Sequence, residues 1–240
     1  MTLYIVLPVY NEEKNIARLL TGLKSRLSAE AYKVIVVDDG STDRSLPLVQ
    51  SFQDKLPIEI VVHPVNKGLA ATLNDGLRQA AEAADSSDII VVMDADNTHS
   101  PESIKMMVNK INGGDDVVVA SRFVEGGGQK GLPALRKVLS RGASFLVGLF
   151  FPLRGVRDYT SGYRAYRASL LKKFFNIYGN KAIEARTFAV AVELLIKLKK
   201  LGAKISAVPL MLRYDWKGGK SKLKILPTIL ESLKILWGNL

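Results

Sequence analysis

The chain has 240 residues, 48% of them apolar and 24% charged, with a net charge of +11 and no cysteine. This composition supports a packed core and excludes a disordered chain, disulfides, thiolate metal centres and a cysteine nucleophile. The charge is unevenly divided: residues 1–120 hold 11 basic and 17 acidic side chains, whereas residues 121–240 hold 23 and 6, so the second half points to an anionic partner or surface.

The first half alternates strands with helices. Tyr4–Leu7 is a short β-favouring run, and Asn15–Leu27 carries a helical stripe through Ile16, Leu19, Leu20, Leu23 and Leu27. Lys33–Val37 is a β-branched strand ending in Asp38-Asp39-Gly40. Asp43–Phe52 reads as a helix, Ile58–Val62 as a strand and Gly68–Ala84 as a helix. Ile89–Met93 is a buried strand ending in Asp94; Ser100 and Pro101 open a helix, and Val117–Ala120 is another buried strand. Continuous apolar strands separated by helices predict an α/β fold with a mostly parallel sheet and helices on both faces. Ligands then bind at the carboxyl ends of the strands.

The second half has a Gly-rich loop, Gly126–Gly128, and a helix over Leu132–Phe151 that mixes Arg136, Lys137 and Arg141 with large apolar groups. A loop follows with Arg154, Arg157 and Asp158, then Thr160-Ser161-Gly162-Tyr163-Arg164. Ala182–Leu201 reads as one helix, Lys204–Tyr214 as one or two strands and Trp216–Lys224 as a basic loop. Leu223, Leu226, Leu230, Leu233, Leu236, Trp237 and Leu240 have the spacing of an amphipathic helix. No basic region followed by a long apolar run opens the chain, so no signal peptide is expected, and no apolar run of 18 residues predicts a transmembrane helix.

Asp94-Ala95-Asp96 carries the sharpest chemistry. Two carboxylates one residue apart beyond a strand can both lean toward a hard divalent cation, Mg²⁺ or Mn²⁺, which takes oxygen ligands and keeps substrate phosphates in its shell. Such an ion would neutralise a diphosphate leaving group. Alone, the pair is more often a solvated turn; the preceding strand and the other motifs reverse that. Asp38-Asp39-Gly40-Ser41 could accept bonds from a base or ribose, or be a strand-to-helix turn. Tyr10 and Glu12 could meet a base, or simply belong to a loop. Arg122, Arg136, Arg141, Arg164, Lys217, Lys220 and Lys222 are donors suited to phosphate. Basic residues beside apolar faces suit an anionic lipid surface. Nucleic acid is disfavoured by the acidic first half. With two histidines and no Gly-x-Ser-x-Gly, a serine hydrolase has little support, and His99 could touch the site or cap a helix.

Taken together these residues resemble the family 2 glycosyltransferases of the GT-A fold. The resemblance lies in Pro8-Val9-Tyr10-Asn11-Glu12-Glu13, Val36–Asp43, Asn66-Lys67-Gly68 and Met93-Asp94-Ala95-Asp96. Ala120-Ser121-Arg122-Phe123, Gly126–Gly128, Thr160–Arg167 and Gly219–Leu223 narrow it to the dolichyl-phosphate mannose synthase group. The resemblance implies transfer of a hexose, mannose from GDP-mannose or another sugar from a UDP donor, to a polyprenyl phosphate with inversion. It implies that Pro8, Val9, Tyr10, Glu12, Asp38, Asp39, Lys67 and Ala95 hold the nucleotide-sugar, and that Asp94 and Asp96 hold the metal and diphosphate. Arg122, Arg136, Ser140 and Arg164 become candidates for phosphate, with Asp94, Asp96 and Arg122 the catalytic set and Lys220 and Lys222 on a closing loop. Thr98 stands where the family often has an amide metal contact. Residues 1–120 would be the nucleotide-sugar half and 121–222 the acceptor half of one domain, and 223–240 a helix on the membrane surface. The expected setting is peripheral, on the cytoplasmic face of a membrane, with or without a membrane-protein partner. The competing reading from another class is a non-catalytic basic module that binds membranes or nucleic acid.

Overall fold

A computed structural model describes residues 1–219 and 225–238. In chain order the elements are β1 (Leu3–Val9), α1 (Ile16–Arg26), β2 (Tyr32–Asp38), α2 (Ser45–Gln50), β3 (Ile58–Val62), α3 (Leu69–Ala83), β4 (Ile89–Val92), α4 (Glu102–Asn112) and β5 (Val117–Ser121). They continue with β6 (Gly128–Lys130), α5 (Ala134–Phe150), β7 (Arg164–Arg167), α6 (Ala168–Tyr178), α7 (Val190–Lys200), β8 (Ile205–Pro209), β9 (Met211–Arg213) and α8 (Ile225–Trp237). Seven strands form one sheet in the order β3-β2-β1-β4-β7-β5-β8. Every pairing is parallel except those of β7, which runs antiparallel to β4 and to β5. β6 and β9 form a separate parallel pair. The sheet therefore runs through both halves of the chain, and the predicted boundary at 222/223 lies outside the described residues.

The side-chain period of two divides each central strand between two cores. Leu3, Ile5, Leu7 and Val9 join Val34, Val36, Ile89 and Val91 under α1 and α4. Tyr4 and Val6 join Ile35, Val37, Ile90 and Val92 under α3, α6 and α7. Because both faces are covered, the strands read as unbroken apolar runs. α3 comes closest to the sheet at Gly76, where a Cβ would lie 2.6 Å from Val6 Cγ1 and 2.9 Å from Val37 Cγ2.

Three elements differ from the sequence reading. β7 is Arg-Ala-Tyr-Arg, which carries no apolar run, yet it fills the gap between β4 and β5 with Ala165 and Tyr166 buried. α7 begins at Val190 rather than Ala182 because the preceding amides find other acceptors. Glu184 and Ala185 N–H groups donate to the Glu193 carboxylate, and Arg186 and Thr187 N–H groups to Glu231. Finally, α8 does turn apolar residues outward at Leu230 and Trp237, but Leu236 is packed into the core under α3, α6 and α7. Leu223 and Leu240 lie outside the described residues.

The broad exposed apolar stripe is on α5 instead. Leu135, Val138, Phe145 and Leu149 are each more than 60% exposed at helical spacing, while Ser144 and Val147 face inward.

Candidate active site

The carboxyl ends of β2, β1 and β4 lie side by side and present the predicted donor loops together. Pro8 and Val9 stand in register with Val37 and Asp38, and the Asp39 N–H donates to Val9 O at 2.8 Å. Gly40 has φ +68°, and a Cβ there would meet the backbone of Val65 at 2.7 Å, so this turn packs tightly on the loop before α3. Asn11 also takes a left-handed φ of +50°; its Oδ1 accepts from the Thr42 N–H at 2.8 Å, which ties the β1 loop to the β2 loop. Glu12 Oε2 accepts from Asn15 Nδ2 at 2.6 Å, and Tyr10 is half-buried alongside.

The two aspartates after β2 do different things. Asp39 is spent on the fold: Oδ1 accepts from the Lys67 N–H at 2.8 Å and faces His63 Nδ1 at 2.7 Å, and Oδ2 accepts from the Gly68 N–H at 2.9 Å. Lys67 thus contributes its backbone here, and its side chain is exposed. His63 is buried, with Asp75 Oδ2 3.0 Å from its other nitrogen. Asp38 is different: Oδ2 accepts from the Ser41 N–H at 3.1 Å, but buried Oδ1 has no partner among the described residues. A buried acceptor without a donor is costly to keep. It is an acceptor open to an N–H donor of a ligand.

Beyond β4, Met93-Asp94-Ala95-Asp96 turns into a loop with Asn97 at φ +62°. Ala95 is buried and contributes backbone. The Asp94 N–H donates to His99 Nδ1 at 3.1 Å, so in the neutral ring Nε2 carries the hydrogen, 3.8 Å from Asp94 Oδ2. His99 stacks on Tyr163 at 4.8 Å. Asp96 Oδ1 accepts from the Thr98 N–H at 3.1 Å and from Thr98 Oγ1 at 2.6 Å, and Asp96 Oδ2 accepts from Lys217 Nζ. Burial pushes the Asp96 carboxyl up, but the Lys217 ammonium outweighs it and holds the group below the usual range. Asp94 is pushed up, chiefly by lost hydration, with the charge of Asp96 adding to this and His99 and Lys217 opposing. The 37% of its side chain that stays in contact with solvent moderates that shift. Among the described residues no three His, Asp or Glu side chains converge as a metal cage, so the pair would need substrate oxygens to complete a coordination shell.

Of the predicted phosphate residues that are described, Arg122 and Arg141 are brought together, and Arg136, Ser140 and Arg164 are not part of their pocket. Arg122 clamps Asp158 in a bidentate pair, Nε to Oδ2 at 2.6 Å and Nη2 to Oδ1 at 2.7 Å, and Nη2 also donates to Thr160 Oγ1 at 2.8 Å. Arg122 further lines an open pocket of about 320 Å³ with Phe123, Gln129, Lys137 and Arg141. Arg136 and Ser140 are not part of that lining; Arg136 Nη1 donates to the Tyr214 hydroxyl at 2.9 Å. Arg164 departs furthest from expectation. It is fully buried, donating to Ala191 O at 2.5 Å and Tyr159 O at 3.0 Å, and lines a separate cavity of about 70 Å³ with Asp94, Thr160 and Gly162. A side chain enclosed in this way, with two donors on backbone carbonyls, supports the sheet rather than meeting a lipid phosphate. Lys220 and Lys222 lie outside the described residues. Asp158 and Glu193 are likewise committed: Asp158 to Arg122, and Glu193 to the 184–185 amides and Lys197. Sequence reasoning missed Lys217 as a partner of Asp96 and Lys137 as a wall of the cationic pocket. The i, i+4 spacing of Lys137 and Arg141 was the available signal for the latter.

An open, mostly parallel sheet with an Asp-x-Asp loop at the end of its fourth strand defines the GT-A class of fold. Residues 4–175 match the sequence model of the Glycosyl transferase family 2, and the chain belongs to that family. It is 32% identical to the Dolichol-phosphate mannosyltransferase of Pyrococcus furiosus over 99% of its own length, and spans 63% of that relative. It is 30% identical to the UDP-N-acetylglucosamine–dolichyl-phosphate N-acetylglucosaminyltransferase of Methanococcus voltae, over 88% of this chain and 86% of the relative. The fold superposes with a TM-score of 0.73 on glucosyl-3-phosphoglycerate synthase from Mycobacterium tuberculosis in complex with Mn²⁺, UDP and glucosyl-3-phosphoglycerate, at 22% identity over 99% of this chain and 79% of that one. That structure and its Mg²⁺ and UDP counterpart hold a divalent ion together with the nucleotide.

Proposed function

We propose that the protein transfers a hexose from a nucleotide-sugar to the phosphate of a polyprenol such as dolichol, with inversion, and that the donor is GDP-mannose. One juxtaposition carries this reading: Thr160 shares a cavity with Asp94 and bonds Arg122, so the first carboxylate of the pair adjoins the cationic pocket. Carboxylates serve a diphosphate only through a cation, whereas Arg and Lys serve a phosphate directly. The relatives named for dolichyl phosphate support the acceptor; that one is named for mannose and another for a UDP-sugar makes a UDP donor the second reading.

Asp38 Oδ1 would accept an N–H of the base. Asp94 and Asp96 would hold Mg²⁺ or Mn²⁺. The fit is chemical: the donor set is all oxygen, and Asp96 already carries a positive group on Oδ2. When bound, the ion neutralises the diphosphate as it departs. A phosphate monoester has a second pKa of about 6. The acceptor is therefore largely ionised at neutral pH, and no side chain has to take a proton. Arg122, Lys137 and Arg141 would orient it so that a phosphate oxygen bonds to the sugar carbon while the bond to the diphosphate breaks and its electron pair leaves with the nucleotide. Residues 1–120 thus serve the donor and 121–222 the acceptor.

The deciding assay pairs labelled GDP-mannose and UDP-sugars with phosphorylated and unphosphorylated polyprenol. Product from GDP-mannose and the phosphorylated lipid alone is the expected result. Product from a UDP-sugar instead moves the reading to the second donor; no product from any pair sinks both.

The same reading calls for a lipid surface. No described helix is long and apolar enough to cross a membrane. The exposed stripe on α5, bordered by Arg136, Lys137 and Arg141, suits an anionic membrane face, here taken as the cytoplasmic one with the protein bound peripherally. Replacing Leu135 and Phe145 together with Asp should lower co-sedimentation with anionic vesicles several-fold without moving the melting temperature. Undiminished binding would assign the stripe to another partner, such as a membrane protein.

A further inference from the structure

Asp96, on which the reading of a cation site rests, has both oxygens occupied within the chain. Oδ1 is held by Thr98 of its own loop, and Oδ2 by the ammonium of Lys217, which is 121 residues away in sequence. Only about a tenth of either side chain is exposed. An incoming cation could keep the Thr98 contacts intact, but it could not share Oδ2 with an ammonium, because the two like charges would lie within a few ångströms of each other.

Lys217 belongs to a short strap, 214–219, whose backbone is anchored independently of that contact. The Gly218 N–H donates to Asn15 Oδ1 at 2.8 Å, and Asn15 Nδ2 donates to Gly218 O at 2.9 Å. Asn15 is 1% exposed, and Asn97 Nδ2 donates to its backbone carbonyl at 2.9 Å. A Cβ at Gly218 would lie 2.9 Å from Asn15 Oδ1 and 3.0 Å from Lys14 Cβ, so the strap sits on the residues that lead into α1 with no spare room. At its start, the Arg213 N–H donates to Thr98 O at 2.9 Å, and the Arg213 guanidinium lies 3.9 Å from the centre of the Trp216 ring. The backbone is pinned on both sides of Lys217, whereas the ammonium is on a four-carbon stem with rotatable bonds. The side chain can leave Asp96 without the strap leaving the site.

We propose that Lys217 is the resident cation of this site: it occupies Asp96 Oδ2 in the metal-free protein, and a divalent ion enters by displacing it. The displaced ammonium remains on the anchored strap, within one side-chain length of Asp96, and becomes a donor for phosphate. Loading the site therefore replaces one positive charge at Asp96 Oδ2 with two and frees the same ammonium to turn toward the substrate. This deepens the proposed function, since it rests on Asp96 being a metal carboxylate.

The test uses the full chain without donor or acceptor. Mn²⁺ is titrated into the native protein, Lys217→Met and Asp96→Asn, with free Mn²⁺ read by electron paramagnetic resonance. In parallel, an amine-directed acylating reagent is applied to the native protein with and without saturating Mn²⁺, and labelling at Lys217 is read by peptide mass spectrometry. Lys217→Met should bind Mn²⁺ on the order of tenfold more tightly than the native protein. Asp96→Asn should lose the site, and labelling of native Lys217 should rise with Mn²⁺. Unchanged affinity in Lys217→Met overturns the displacement while leaving the metal site standing, and so does a Lys217 that stays unlabelled at saturating Mn²⁺. The labelling arm needs no variant, so misfolding of Lys217→Met would not shield the proposal. If Asp96→Asn binds Mn²⁺ as the native protein does, the metal reading falls and the displacement with it.

Discussion

Asp96→Asn should reduce sugar transfer by about 10³-fold or more while leaving the circular dichroism spectrum intact. The expectation follows from what each oxygen of Asp96 does. The carboxamide oxygen can still accept from Thr98, as Oδ1 does now from the Thr98 N–H at 3.1 Å. The loop after β4 therefore keeps its internal bonds. The carboxamide nitrogen cannot accept from Lys217 and carries no charge toward a metal or a diphosphate. Loss of the Lys217 contact is tolerable for the fold, because the ammonium can swing to water on its flexible stem. Loss of the negative charge is not tolerable for a diphosphate leaving group held through a cation. The measurement is single-turnover transfer from labelled donor to polyprenyl phosphate, alongside thermal unfolding. Near-native transfer by the variant would remove the metal assignment altogether.

Arg122→Ala should cost about 3–5 kcal/mol of stability, since it leaves the Asp158 carboxylate buried without its partner. For a chain of this size that is a fall of on the order of 10 °C in melting temperature. Asp158 is fully buried, and Arg122 meets it through a side-chain bidentate pair and through its own N–H at 3.1 Å. Burial pushes the Asp158 carboxyl up, but the guanidinium and its hydrogen bonds prevail and hold it below the usual carboxylate range. A carboxyl lowered by folding contributes stability that is present above its unfolded pKa, about 3.9, and is lost as pH falls through the folded value. In the variant, burial is opposed only by the hydrogen bonds that remain, from the residue 122 N–H, Thr160 Oγ1 and the Ser161 N–H, so the carboxyl takes up a proton more readily on folding. The deficit should therefore be largest near pH 7 and shrink toward pH 4, as read from denaturant midpoints at the two pH values. Equal stability of variant and native protein at pH 7 would mean that Arg122 is only a ligand group. Because Arg122 supports the fold, inactivity of this variant alone would not identify the acceptor site. Lys137 and Arg141, both exposed and facing the same pocket, report on it without that complication.

Most of the sheet is legible from local pattern. The runs at 4–7, 33–37, 89–93 and 117–120 are apolar because both faces of their strands are covered, and the stripes at 15–27 and 68–84 mark helices lying on that sheet. β7 is illegible for a specific reason. Its two arginines donate to carbonyls that include ones distant in sequence, Ala191 for Arg164 and Ile111 and Asp115 for Arg167, and no window of neighbouring residues contains those acceptors. The same holds for the true start of α7, which depends on Glu231 reaching back 44 residues to the Thr187 N–H.

Within the candidate site, the Asp-x-Asp loop and the Asp38-Asp39 pair can be read from residue type and position after a strand, because β-strand geometry delivers strand ends to one edge of the sheet. What each carboxylate does cannot be read in that way. Asp38 and Asp39 are adjacent and chemically identical, yet one keeps a buried oxygen without a partner among the described residues and the other is consumed by His63, Lys67 and Gly68. Arg122 and Arg164 read alike as phosphate donors, and one lines an open pocket while the other is sealed inside the sheet. The amino-acid sequence by itself determined the α/β class, the strand ends where the site forms and the acidic and basic character of its two sides, since periodicity and charge are local and additive. Only the tertiary structure decided which charges face a ligand and which face each other, because a hydrogen bond joins whichever groups folding brings within about 3 Å, regardless of their separation along the chain.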